Sequence, residues 1–114
     1  DLARKLPVSW RASDGMRLYG FVHLPPGRAV ASLPLVVMPH GGPFWVQDEW
    51  FYDEDVQILA AHGYAVLRVN FRGSDGFGRS FIDAGRKQWG KTMQNDVTDA
   101  TRWAIAQGKI DPQR

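Results

Sequence analysis

His40, Gly41, Gly42 and Pro43 form the segment best suited to chemistry, because they follow directly on the apolar run 35–38. Two glycines after such a run let the backbone turn tightly and bring its N–H groups close to a ligand. N–H groups held rigidly at the C-terminal edge of a parallel sheet form a site for a negatively charged oxygen. An ordinary turn between a strand and a helix is the alternative, which two glycines alone do not exclude.

The three histidines of the chain are weak candidates for catalysis. His40 could act as a general base only with a nucleophile within hydrogen-bond reach, and the sequence offers no evident one. We therefore interpret His40 as a residue that organises its loop. His23 falls on a predicted strand and His62 at the end of a predicted helix, so we interpret both as surface or capping residues.

A group of carboxylates just after the glycine loop raises the question of a metal site. Its members are Asp48, Glu49, Asp53, Glu54 and Asp55. Consecutive carboxylates on a helix point around its axis rather than converge, and no histidine joins them. We interpret them as a solvated first helical turn, favoured by the positive end of the helix dipole, and expect no metal.

Residues 73–80 read G-x-x-x-x-G-R-S, close to the phosphate-binding pattern G-x-x-x-x-G-K-[ST]. Arginine stands in place of the lysine, and Gly85 interrupts the segment that should be helical. A rigid turn is therefore the favoured interpretation, with Arg72 buried beneath it against a helix carboxylate such as Asp96 or Asp99. We expect no nucleotide and no other cofactor.

The chain has five tryptophans, an unusually large number for 114 residues. We interpret Trp89 and Trp103 as core residues. Trp45 lies beside the glycine loop, and we interpret it as a lining residue of a substrate pocket.

The elements that must position these residues begin with two strands, at 8–11 and 16–24, joined by the turn Ser13-Asp14-Gly15. The apolar strand 34–39 follows, and its lack of alternation suits a strand covered on both faces. Asp48 is predicted to cap the next helix, which Gly63 ends. Tyr52, Val56, Leu59 and Ala60 fall on one face of that helix.

The second half of the chain repeats the order of strand and helix. A strand is predicted at 64–71 and a helix at 92–107. The buried face of this helix should carry Met93, Val97, Ala100 and Ala104. Strand 64–71 follows a crossover helix and should run parallel to strand 34–39. The predicted fold class is α/β, with a sheet that is mixed at its beginning and parallel afterwards.

Length, charge and composition restrict the classes of partner and compartment that suit this chain. A length of 114 residues suits one domain, and the net charge of +2 is too small and scattered to indicate nucleic acid or an anionic membrane as a partner. No apolar run approaches the roughly 20 residues that cross a bilayer. The absence of cysteine fits a reducing compartment, which favours the cytoplasm. The chain starts at Asp1 rather than at a methionine, so we interpret it as a piece of a longer protein.

The segments SDGMRLYGFVHLP, LPLVVMPHGGP, LAAHGYAVLRVNFRGSDGFG, QWG and NDVTDATRWAIAQGKIDPQR occur in this order. This order resembles the prolyl oligopeptidase family of serine peptidases, and within it the acylaminoacyl peptidases and dipeptidyl-peptidase-like enzymes. HGGP alone is a weak motif, but HGGP followed by FRGSDGFG and a helix that ends in a DP turn is a strong combination. The resemblance implies the N-terminal half of an α/β-hydrolase catalytic domain, usually preceded by a β-propeller that admits small peptides.

The resemblance also implies an oxyanion hole. Gly42 would donate one backbone N–H, and His40 and Gly41 would shape the loop. The serine, aspartate and histidine of the catalytic triad would follow Arg114, the serine in a G-x-S-x-G-G turn. None of the serines present lies in such a turn, namely Ser9, Ser13, Ser32, Ser74 and Ser80.

We therefore expect this chain to contain no catalytic residue of its own and to be inactive in isolation. Its partners would be a peptide substrate and the remainder of the same catalytic domain. An esterase or other acyl hydrolase of the same fold is the first alternative, and a non-catalytic α/β binding domain is the second.

Overall fold

A computed structural model describes residues 2–27, 32–42, 46–49 and 52–114. Its elements, in chain order, are β1 (Arg4–Arg11), β2 (Arg17–Leu24), β3 (Leu35–Val37), α1 (Glu54–Ala61), β4 (Ala65–Asn70), α2 (Arg79–Ala84) and α3 (Thr92–Ala106). The four strands form one sheet in the order β1-β2-β4-β3.

The first two strands form the predicted antiparallel hairpin, paired from Arg4 opposite Leu24 to Arg11 opposite Arg17. Its turn requires a left-handed residue, which Gly15 supplies with φ of 88°. The Gly15 N–H donates to the Ala12 carbonyl at 2.8 Å and closes the turn. Hairpin and turn are both confirmed.

The rest of the sheet changes from antiparallel to parallel, as predicted. Strand β4 pairs antiparallel with β2 and parallel with β3. The connection from β3 to β4 passes through α1, because parallel neighbours need a crossover. Among the described strands β3 is at the edge of the sheet. The beginning of that edge is covered, since Leu33 bridges to Ile110 and the Leu35 N–H donates to the Arg114 carbonyl at 2.9 Å.

The core lies between the sheet and α3. From β4, Leu67 and Val69 are fully buried in this core, and Ala65 is fully buried in a smaller adjoining cluster. Helix α3 buries the predicted Met93, Ala100 and Ala104, while Val97 is only partly buried. Within the described ranges no helix is long and apolar enough to cross a bilayer.

The tryptophans divide between core and surface. Trp10 is a core residue, and Trp103 is partly buried and packs against the core, with its ring stacked on Trp10 at 5.4 Å between centroids. Trp89 does not, because 62% of it is exposed, and the prediction that it is a core residue is wrong. It precedes α3 in a turn, where helical periodicity gives no information about burial. Trp45 lies outside the described residues.

Helix α1 starts later than predicted. Its cap is Asp53, whose side chain accepts from the Val56 N–H at 3.0 Å. The predicted cap Asp48 is instead buried, and its backbone N–H and carbonyl both bond to the Asn70 side chain. Tyr52 precedes the helix and is exposed, so its predicted place on the buried face is also wrong.

Two predicted residues of the buried face of α1 are confirmed. Val56 and Ala60 are both buried in the sheet-facing side of the helix. Leu59 is only partly buried.

A six-residue helix, α2, occupies the segment that we expected Gly85 to interrupt. Gly85 is the C-cap of this helix rather than a break within it. It also lies against the second glycine loop, since a Cβ at Gly85 would stand 2.7 Å from the Gly73 Cα. The glycine therefore serves close packing between a helix end and a loop.

Candidate functional site

Two loops meet at the C-terminal edge of the sheet, because β3 and β4 are parallel neighbours. The first loop comprises residues 39–42, after β3. The second loop comprises residues 71–78, after β4. Pairing continues one step past β3, where the Met38 N–H donates to the Leu67 carbonyl at 2.9 Å. The start of the first loop is thus held by the sheet.

The glycines of the first loop face solvent. Gly41 and Gly42 are both exposed. Gly42 has a backbone φ of 90°, a conformation that residues other than glycine rarely adopt. A turn of this kind at the end of a buried parallel strand can present backbone N–H groups to a ligand.

His40 ties the first loop to the second. Its Nδ1 lies 3.0 Å from the Gly41 carbonyl and its Nε2 lies 2.7 Å from the Ser74 hydroxyl. The imidazole stacks on Phe71, with ring centroids 4.5 Å apart. The structure thus brings a hydroxyl to His40, which the sequence did not reveal. Ser74 is 0% exposed, however, so a substrate carbonyl has no access to that hydroxyl.

Arg72 anchors the second loop from below, as predicted. Its Nε and Nη2 donate to the two oxygens of Asp96, each at 2.8 Å, and its backbone N–H adds a third bond at 2.9 Å. Its Nη1 reaches Asp14 at 2.7 Å. The hydrogen bonds with Asp96 are the main reason that the pKa of Arg72 is raised, and the bond from Arg72 lowers the pKa of Asp14.

Asp99, the other carboxylate considered for Arg72, holds the hairpin turn instead. It accepts from the Ser13 backbone N–H at 2.8 Å and from the Ser13 hydroxyl at 2.9 Å. Helix α3 therefore bonds to the second loop through Asp96 and to the hairpin turn through Asp99.

Four successive N–H groups of the second loop are not available to a phosphate. The N–H groups of residues 73–76 all donate within the protein. Their acceptors, in order, are the carbonyls of Phe81, Phe71 and Val46 and the side chain of Asp75, at distances from 2.8 to 3.0 Å. A phosphate-binding loop needs such groups unpaired and convergent, so this geometry favours the interpretation as a rigid turn.

The carboxylates before β4 are not all solvated, which corrects the interpretation as an open helical turn. Arg68 bonds Asp48 through Nη2 and Asp53 through Nη1, both at 2.6 Å. Burial raises the pKa of Asp48, whereas the Val56 N–H, together with Arg68, lowers the pKa of Asp53. No three acidic or histidine side chains among the described residues come together as a metal site.

His23 is a buried residue, so its interpretation as a surface residue is wrong. Only 2% of it is exposed, and neither ring nitrogen has a hydrogen-bond partner. Burial is the main cause that lowers its pKa to about 4, helped by Lys5 and Arg68. The strand pattern placed it among outward residues, but α1 covers that face of the sheet. His62 does cap a helix end, with Nδ1 2.8 Å from the Ile58 carbonyl.

A hollow of about 300 Å³ opens beside the first loop. It is lined by Pro39, His40, Phe71, Trp89, Gly90, Met93, Gln94 and Val97. Its walls are mostly apolar side chains, which suits an apolar element or substrate group more than an ion. Trp45, the predicted pocket residue, lies outside the described residues.

Comparison with known proteins places this architecture in a family. Residues 50–114 match the prolyl oligopeptidase family, and the chain belongs to that family. The dipeptidyl aminopeptidase BIII of Pseudoxanthomonas mexicana is 43% identical over 114 residues, which cover 94% of this chain and 16% of that protein.

Solved structures agree on the fold. A puromycin hydrolase superposes with a TM-score of 0.90 at 28% identity, covering 98% of this chain and 18% of that one. The acylaminoacyl peptidase of Pyrococcus horikoshii gives 0.89 at 22% identity, covering 100% of this chain and 18% of that one. The fold is therefore part of an α/β-hydrolase-type peptidase domain, and this chain spans less than a fifth of the length of these relatives.

Proposed function

We propose that this chain is the N-terminal half of the catalytic domain of a serine peptidase that hydrolyses short peptides by acyl transfer. Its own contribution is the first loop, with the Gly42 N–H as one donor of the oxyanion hole. The observation that carries the proposal is the exposed left-handed turn at Gly42, placed at the C-terminal edge of the sheet and anchored through His40.

The chemistry requires a donor that is in place before charge develops. As a serine attacks a peptide carbonyl, the oxygen becomes negative, and N–H groups already aimed at it stabilise the transition state without reorganisation. The anchored first loop suits this role. The second donor would be the N–H that follows the nucleophilic serine, and the histidine of the triad would relay the proton.

The C-terminal residues of the chain support the placement of the nucleophile. Residues 109–114 run beside the start of β3, held by the Leu33 bridge and by the bond from Leu35 to Arg114. A strand that continued from Arg114 alongside β3 would be parallel to it and would end at the same edge as the first loop. A serine on the turn after that strand would lie next to Gly42.

The substrate and partner proposals follow from the family. A peptide substrate agrees with relatives named as dipeptidyl aminopeptidase and acylaminoacyl peptidase. We further propose that the remainder of the catalytic domain packs on this chain and that a β-propeller limits access to short peptides.

The substitution Gly42→Ala in the complete protein tests the proposed oxyanion role. A side chain at φ of 90° strains the turn and displaces its N–H. Loss of one oxyanion donor lowers kcat by about 10²–10³-fold. The measurement is steady-state hydrolysis of a peptide amide and of the matching ester, because an esterase would spare the amide.

Gly108→Ala is the matched control. Gly108 also has positive φ, at 80°, and a Cβ there would meet no other atom within 4 Å, but it lies after α3 and away from the first loop. If Gly42→Ala keeps kcat within about twofold of the Gly108→Ala value while folded, the oxyanion assignment is wrong.

A further inference from the structure

We propose that Ser74 is a positioning residue for the oxyanion hole, acting through His40. It holds the imidazole in one orientation through Nε2, and thereby fixes the first loop and the direction of the Gly42 N–H. This inference rests on the proposed function and adds to it a residue in the second loop that contacts neither substrate nor nucleophile.

The direction of each hydrogen bond follows from its chemistry. A carbonyl oxygen can only accept, so the His40 Nδ1 must carry a proton to bond the Gly41 carbonyl at 3.0 Å. In the neutral imidazole Nε2 is then an acceptor. The Ser74 hydroxyl therefore donates to Nε2 across 2.7 Å. A residue at position 74 without a hydroxyl proton would leave Nε2 without its partner, and the imidazole would then be held only through Nδ1 and its stacking on Phe71.

Ser74 is itself rigidly held, as a positioning residue must be. It is 0% exposed, and its backbone N–H donates to the Phe71 carbonyl at 3.0 Å. Phe71 also supplies the ring on which His40 stacks. Arg72, between these two residues, is locked to Asp96 of α3. The orientation of His40 is thus fixed relative to α3, through the second loop, and not only relative to its own loop.

A nucleophilic role for Ser74, with His40 as its base, does not fit the same geometry. A nucleophile must meet a substrate carbonyl, and the hydroxyl of Ser74 is enclosed and directed to Nε2. The distinction has a measurable consequence. Removing a nucleophile abolishes turnover and labelling by fluorophosphonates, whereas removing a positioning hydroxyl lowers the rate and leaves the true nucleophile reactive.

The experiment compares Ser74→Ala with Ser80→Ala in the complete protein. Ser80 is an exposed residue of α2, so the same substitution there should leave kinetics unchanged. We expect Ser74→Ala to lower kcat for a peptide amide by about tenfold, in line with the loss of one buried hydrogen bond, with KM within about twofold. Fluorophosphonate labelling should persist.

A double-mutant cycle separates positioning from a general structural effect. Once His40→Ala has removed the imidazole, Ser74→Ala should lower kcat by less than about twofold further. A further loss as large as in the parent protein would show that Ser74 acts independently of His40 and would overturn the proposal. So would a Ser74→Ala protein with the kinetics of Ser80→Ala, or one that no longer reacts with fluorophosphonate.

The ring nitrogens of His40 give a readout that does not depend on catalysis. In ¹⁵N-histidine-labelled protein, the pair of signals lost in His40→Ala identifies this residue. It should report Nδ1 protonated in the parent and a changed Nε2 signal in Ser74→Ala. An unchanged signal overturns the inference. If Gly42→Ala instead keeps full activity, the proposed oxyanion function fails, while the nitrogen signals still decide whether Ser74 holds His40.

Discussion

Arg72 connects three separate parts of the fold through its guanidinium. Its guanidinium joins the second loop to Asp96 in α3 and to Asp14 in the hairpin turn. Asp96 is 0% exposed, so the pair is stable only because each partner satisfies the other. Removing either partner alone leaves a buried charge without compensation.

We therefore expect Asp96→Ala to be severely destabilising. A broken buried ion pair typically costs about 3–5 kcal/mol of unfolding free energy. Asp83→Ala, which removes an exposed partner of Arg86, is the control and should unfold like the parent. Urea unfolding of the complete protein measures the difference. Equal midpoints for the two variants would contradict the structural role assigned to the pair.

His23 should make stability depend on pH. Its pKa is about 4 when folded and near 6.5 when unfolded, so the unfolded state binds more protons between these values. Stability is then full above about pH 6.5 and falls as the pH drops toward 4. The parent should therefore lose roughly 1–3 kcal/mol of unfolding free energy between neutral pH and pH 5, and His23→Leu should abolish this loss.

The measurement for His23 is urea unfolding of the complete protein at pH 7.5 and pH 5, with His62→Leu, at an exposed helix end, as the control. Parent and His62→Leu should both lose stability at the lower pH. If His23→Leu loses as much as they do, the buried neutral histidine is not the cause.

At the scale of elements, α1 is a short helix that buries only Val56 and Ala60, so its N-terminal cap is an important part of what stabilises it. Asp53 both caps the helix and pairs with Arg68, which links α1 to β4. A helix of eight residues has few internal hydrogen bonds with which to compensate for a lost cap.

Asp53→Ala should therefore cost about 1–2 kcal/mol of unfolding free energy. Asp55→Ala is the matched control, because Asp55 is an exposed carboxylate of the same first turn. A cost for Asp55→Ala as large as that for Asp53→Ala would mean that helix-dipole charge, and not capping, stabilises α1.

At the scale of the whole molecule, β3 is an edge strand of the described sheet, and in the isolated 114-residue chain part of its backbone has no strand to pair with. The Leu35 N–H points outward to Arg114, so the Val37 N–H, two residues on, points to the same side. An apolar edge of this kind is an aggregation template. The edge is shorter than the sequence implied, because residues 109–114 cover its beginning.

We expect the isolated chain to associate or precipitate, and to be rescued by the remainder of the domain. Hydrogen exchange at Val37 should be fast in the isolated chain and slow in the complete protein. A soluble monomer with a strongly protected Val37 N–H would show that this edge is not the site of a further strand.

The isolated chain should also be inactive toward activated esters and peptide amides. It has no serine in a nucleophile turn, and the one serine beside a histidine is buried. Active-site titration of the purified chain is the measurement. Titratable turnover would contradict the assignment of the nucleophile to residues after Arg114.

Local signals in the sequence determined most of the fold. Turn glycines, strand alternation and helical periodicity depend on neighbours within a few residues, so the hairpin, β4 and α3 were predictable. The motif order was enough to identify the family. The bond between Arg72 and Asp96 was within reach because a buried arginine needs a carboxylate and α3 offered only two nearby.

Tertiary structure alone decided the environments of His23, Asp48 and Ser74. Each is polar and lies where local patterns predict exposure or leave burial open, and each is buried by an element distant in the chain. Burial depends on which faces the sheet order brings together, and no window of neighbouring residues contains that information. The contact of Ser74 with His40 exists because β3 and β4 are parallel neighbours and end at the same edge.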